Sequence, residues 1–90
     1  MIVNTIKVTS AGTRVQASDS GTVRSIVFHA RPDNVGNVYV GDSNVSSTRG
    51  VCLAPSGTFR MVFENYGKVK NWYADVDTSN DEVDYVADNS

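Results

Sequence analysis

Residues 34–59, NVGNVYVGDSNVSSTRGVCLAPSGTF, hold two short apolar runs set between polar, glycine-marked loops, and their reading decides the fold. Asn34 to Asn37 is a turn cluster in which Gly36 is free to take positive φ. Val38-Tyr39-Val40 is a β-branched and aromatic run that Gly41-Asp42 ends, so it reads as a strand between turns. In Asp42 to Gly50 only Val45 is apolar, which predicts a surface loop. Val51-Cys52-Leu53 then resumes the sheet, and Pro55-Ser56-Gly57 turns the chain again.

Outward from this stretch the same rhythm repeats. Ile2, Ile6 and Val8 alternate with Val3, Thr5 and Lys7, the pattern of a half-buried strand. Thr13 to Ala17 predicts a second short strand with Val15 inward, and Ser18 to Gly21 a turn. In Thr22 to Arg31 the residues Ile26, Phe28 and Ala30 share one face, and Pro32 ends the strand by removing a ladder donor. Thr58 to Glu64 sets Phe59, Met61 and Phe63 against Arg60, Val62 and Glu64, before a turn at Asn65-Tyr66-Gly67. Val69 to Asp77 places Trp72, Ala74 and Val76 inward, with Trp72 as the expected core keystone. Glu82 to Ala87 supplies a last strand with Val83, Tyr85 and Ala87 on one face.

About eight short strands at spacings near ten residues, with no amphipathic helical segment, predict one all-β domain, a small sandwich or barrel. Ninety residues are enough for one core only. The longest apolar run is a few residues, too short for a transmembrane helix, and a hydrophobic content of 40% argues against a disordered chain, so a soluble domain with no membrane partner is expected. Met1-Ile2-Val3-Asn4 carries neither a basic leader nor an adequate apolar segment, which predicts synthesis and assembly in a cytoplasm. The single cysteine, Cys52, cannot form an intrachain disulfide and is expected to be a small buried hydrophobe.

Charge is unevenly distributed. Residues 1–74 carry eight basic and four acidic residues, a balance of +4, whereas residues 75–90 carry six acids and no base, a balance of −6. An acidic strand and tail over 75–90 repels nucleic acid and reads as a solvated edge that discourages aggregation. Its acids do not form an EF-hand. Counted from Asp75, the sixth position is Asn80 instead of glycine and the twelfth Val86 instead of glutamate.

No catalytic constellation is legible. His29 is the only imidazole and sits inside a strand, no serine stands in a nucleophile elbow, and Gly36 to Gly41 has neither the lysine nor the helix of a phosphate loop. A non-enzyme without catalytic residues, metal or cofactor is expected. Tyr39, Tyr66 and Tyr73 would make a sugar-stacking or protein-binding surface if they shared one outward face.

Several segments carry a family resemblance. They are Val38 to Gly41 (VYVG), the serine-bearing loop Asn44 to Ser47, Gly50 to Leu53, the turn Pro55 to Gly57, I-x-V-T-x-A-G-T at Ile6 to Thr13, and W-Y-A-x-V at Trp72 to Val76. Together they resemble small structural proteins of tailed bacteriophages, most closely the capsid decoration, or cement, proteins. The resemblance implies a jelly roll, where the residues alone leave an ordinary Greek-key sandwich open. It also implies residence on the outer surface of the virion, the major capsid protein as partner, a homo-oligomer with a trimer favoured, and no cofactor. Because edge strands and polar loops are what a rigid sandwich offers a partner, the expected contact residues are Met1, Ile2, Val3, Asn4 and Thr5 at the N-terminus and the loop Asn44 to Arg49, with Arg49 able to pair with a carboxylate on the shell. The alternative is a tail or fibre module that binds host-surface carbohydrate or receptor.

Overall fold

Alternating apolar residues fold the chain into eight strands. In the computed structural model, which describes residues 1–88, these are β1 (Ile2–Lys7), β2 (Val15–Gln16), β3 (Thr22–Ala30), β4 (Val38–Gly41), β5 (Val51–Leu53), β6 (Thr58–Lys68), β7 (Tyr73–Val76) and β8 (Glu82–Asp88). One 3-10 turn at Val69–Asn71 precedes β7.

Strand β1 pairs with β8, β2 with β7, β3 with β6 and β4 with β5, all antiparallel. Further pairing of β8 with β3 and of β7 with β4 closes two four-stranded sheets, ordered β1-β8-β3-β6 and β2-β7-β4-β5. Four nested strand pairs folded into two sheets are the jelly roll, not an ordinary Greek-key sandwich. The core lies between the sheets: Ile26, Phe28 and Ala30 of β3 and Val83, Tyr85 and Ala87 of β8 face Val38 and Val40 of β4 and Ala74 and Val76 of β7. Phe28 is its aromatic centre, with ring centroids 5.0 Å from Trp72 and 6.0 Å from Tyr85.

Several expectations need correction. Cys52 is exposed, because Val51 and Leu53 take the inward positions of a three-residue strand and leave Cys52 the other face. Gly36 does not use its freedom to take positive φ; a glycine is needed there because a Cβ would lie 2.8 Å from Thr78 Oγ1. No turn forms at Asn65-Tyr66-Gly67. Strand β6 runs on to Lys68 through an irregularity in which Val23 pairs with Gly67 and Ser25 with Val62, and this also turns Val23 inward. Val69–Asn71 is a 3-10 turn instead of strand, which leaves Trp72 half-buried at the core's margin.

The acidic segment is also not simply a solvated edge. Asp75 and Asp81 are only 3% and 6% exposed, and each caps backbone amides that would otherwise lack acceptors. Asp75 Oδ1 accepts from Gly12 N at 3.0 Å and so pins the β1–β2 connection over the outer side of β7. Asp81 takes Val35 N at 3.1 Å on one oxygen and Gly36 N at 2.8 Å on the other, fixing the β3–β4 connection. Asp84 accepts from Thr5 Oγ1 at 2.6 Å and lies 3.5 Å from the Arg31 guanidinium, which also approaches Glu82 and Asp33. Asn89 and Ser90, the end of the expected acidic tail, lie outside the described residues.

Candidate binding surfaces

The outer face of the β1-β8-β3-β6 sheet carries rows set by strand register. Lys7 stands beside Glu82, and next comes Thr5, Asp84, His29 and Thr58 across all four strands. The following row is apolar: Val3 pairs with Val86, Val86 with Val27, and Val27 with Arg60. Val62, which pairs with Ser25, extends it by one step along β6. Val3 is 68% exposed, Val62 61% and Val86 39%, so the row is open to solvent. Solvent-facing positions of an antiparallel sheet are normally polar, which makes three valines in register, with Val62 one step beyond, an anomaly that calls for a covering surface.

The expected contact residues divide between two places. Met1 and Val3 are exposed, Val3 within the valine row and Met1 just before β1. Ile2 packs against the core, Asn4 Nδ2 donates to Asp19 Oδ2 at 3.0 Å, and Thr5 is bound to Asp84. Asn44 and Arg49 are exposed on the β4–β5 loop, where Ser46 and Arg49 form a backbone bridge. This loop and the start of β1 lie at the same end of the sandwich but at opposite edges, β1 stacked beside β2 and β5 beside β6.

The tyrosines do not form one outward face. Tyr39 is buried, with its hydroxyl donating to Asp77 Oδ2 at 2.8 Å; that bond, followed by burial and the Asp77 charge, raises its pKa above the usual value. Tyr66 is exposed on β6, with the Arg24 guanidinium 5.8 Å from its ring centroid. Tyr73 is half-buried at the start of β7, in the other sheet.

A concave region occupies the end of the sandwich where β4 and β6 finish. Its main cleft, about 230 Å³, is lined among others by Asp42, Phe63, Lys68, Asn71 and Trp72. Two further hollows share Asp42: one of about 230 Å³ reaches Asn44 and Arg49, and one of about 360 Å³ reaches Gln16, Lys70 and Tyr73. The shape of the main cleft depends on Gly67, over which the Phe63 ring is folded so closely that a Cβ would lie 2.5 Å from its Cζ. Phe63 in turn stands 6.5 Å from Trp72, and Phe59 6.4 Å from it, centroid to centroid.

His29 is half-buried on the outer face, between Thr58 and Asp84 in register. Among the described residues, no group of three or more His, Cys, Asp or Glu side chains is placed to hold a metal ion. No helix among them is long and apolar enough to cross a membrane.

No family model, curated protein or solved structure matches the chain. The resemblance to capsid decoration proteins therefore stands on the residues quoted for it alone. Neither the valine row nor the Asp42 hollows were recognised from sequence. A signal for the row existed, since Val3, Val27, Val62 and Val86 each occupy the polar side of an alternating strand, but only strand pairing brings them together.

Proposed function

We propose that this chain is a structural protein of a tailed-phage virion, of the capsid decoration class, which binds the outside of the major capsid protein shell and stabilises it. The observation that carries the reading is the exposed valine row that starts at the free edge strand β1 and crosses the outer sheet. An apolar row on a rigid jelly roll suits a subunit whose work is to cover a matching surface. Burial of Val3, Val62 and Val86 supplies the hydrophobic term, and the flanking Lys7, Glu82 and Arg60 supply a polar rim. Docking of a trimer at a local three-fold axis would make each contact three times, so weak single contacts sum to retention on the particle. Assembly would follow synthesis in the host cytoplasm, with no cofactor, nucleic acid or membrane involved.

The test is cosedimentation of the purified protein with undecorated, expanded heads of the phage that encodes it. Saturable uptake at a fixed number of copies per capsomer, with heads that better survive heating, is expected. Val3→Asp should abolish uptake while leaving the fold intact, because the position is solvent-facing. Absence of uptake by the unaltered protein would overturn the proposal.

A further inference from the structure

We propose a second binding site, for an acidic saccharide, in the hollows that meet at Asp42. Three observations converge there. First, the main cleft has an aromatic wall, the half-buried Trp72 beside Phe63, against which the C–H face of a pyranose ring can pack. Second, the side chains around it suit a polyhydroxylated ligand: the Asp42 carboxylate accepts from hydroxyls, and the Asn71 and Gln16 amides both donate and accept. Third, the charge is inverted relative to the whole chain. Arg49, Lys68 and Lys70 stand around the hollows against the single carboxylate of Asp42, on a protein whose net charge is −2. A ligand that matches all three has a ring with an apolar face, several hydroxyls and a negative group.

The dimensions fit one sugar unit in the main cleft with neighbours over the two adjoining hollows. About 230 Å³ is below the usual range for drug-sized ligands, so a single unit should bind weakly, with Kd on the order of 1 mM. Asp42 is partly preorganised for this role. Its Oδ1 already accepts from Asn44 N at 2.8 Å, which fixes the carboxylate at the point where the three hollows meet. The site lies at the end of the sandwich and contains no residue of the valine row, although Asn44 and Arg49 of one hollow are also among the expected shell contacts.

Trp72 is the only tryptophan, so its fluorescence reports directly on the cleft. Trigalacturonic acid and a heparin tetrasaccharide would be titrated into the protein, with maltotriose and tripolyphosphate as counterparts that lack charge and ring respectively. A saturable change with either acidic saccharide is expected, and the stronger of the two identifies carboxylate or sulfate as the negative group. Lys68→Gln, at an exposed position, should weaken binding at least threefold, and added Lys70→Gln about tenfold in all. Amide NMR shifts should centre on Gly41, Asp42 and Asn71. No response to either acidic saccharide, an equal response to maltotriose, or an equal response to tripolyphosphate would each overturn the proposal.

Discussion

The hydroxyl of Tyr85, a fully buried side chain of β8, donates to the carboxylate of Asp19 in the β2–β3 connection. Burial, then the hydrogen bond and charge of Asp19, push the Tyr85 pKa from 10.0 up to about 12. The same bond, with a second from Asn4, holds Asp19 below the usual 3.8. The two shifts act at opposite ends of the pH scale. Tyr85 contributes fully below pH 10, and the contribution is lost between about 10 and about 12 as the folded state resists ionisation that the unfolded chain undergoes. Asp19 contributes above 3.8, and its contribution is lost as pH falls through the depressed folded value. Tyr85→Phe removes the Tyr85 contribution and the larger part of that of Asp19, whose Oδ2 keeps the Asn4 donor, and should cost about 1 kcal/mol at pH 7. Urea midpoints at acid, neutral and alkaline pH should show the gap to the unaltered protein narrowing at both extremes; a constant gap would contradict this linkage.

Asp81 is the corresponding fixture at the opposite end of the sandwich, with one oxygen for each of two successive amides, Val35 N and Gly36 N. Asp81→Ala leaves two amides of the β3–β4 connection without acceptors and should cost about 2–3 kcal/mol; Asp81→Asn keeps one acceptor and should cost less. Hydrogen exchange gives a more local reading. The Val35 and Gly36 amides should both lose protection in Asp81→Ala and only one of them in Asp81→Asn, while the β3 amides should fall only as far as global stability falls.

How far the sequence disclosed this molecule depends on which physical rule governs each residue. Faces were legible wherever period-2 alternation ran uninterrupted: Phe59, Met61 and Phe63 lie inward and Arg60, Val62 and Glu64 outward as expected. Val23 escaped, because its inward orientation depends on the irregularity opposite β6, a tertiary feature. The buried acids escaped for a different reason. A run of six acids reads as solvated on composition, and only the approach of the β1–β2 and β3–β4 connections shows that Asp75 and Asp81 serve as backbone caps. The binding surfaces were least legible, since the valine row needs the β1-β8-β3 order and the Asp42 hollows need β4, β6 and the 3-10 turn side by side.

Gly67 and Phe63 offer a sharper test of the cleft's construction. Within the irregular part of β6 the Phe63 ring occupies the space that a side chain at 67 would need, with three ring carbons 2.5–2.8 Å from an ideal Cβ. Gly67→Ala must therefore displace the ring, which loosens its packing on Trp72. A cost of about 1–3 kcal/mol is expected, in the range for an overpacked site. Trp72 emission should shift to the red as the indole gains water. Thermal unfolding and the emission maximum together check this; a stability loss without a spectral shift would place the damage elsewhere.

Cys52 separates two readings of a short apolar strand. Had the thiol been buried in Val51-Cys52-Leu53, it would resist modification in the folded state, and its replacement by serine would bury a hydroxyl at a cost of about 1–3 kcal/mol. The observed register instead sets Cys52 beside Tyr39 on the outer side of the β2-β7-β4-β5 sheet, on its edge strand, with the thiol exposed. Native protein should therefore react with one equivalent of a thiol-specific reagent without prior unfolding, at a rate independent of low urea concentrations. Cys52→Ser should change stability by less than about 0.5 kcal/mol, as expected for a surface substitution. Protection of the thiol until the unfolding transition would mean either that β5 has the opposite facing or that a second copy covers this edge. Repeating the reaction over a range of protein concentrations separates these outcomes, since only coverage by a second copy lifts on dilution.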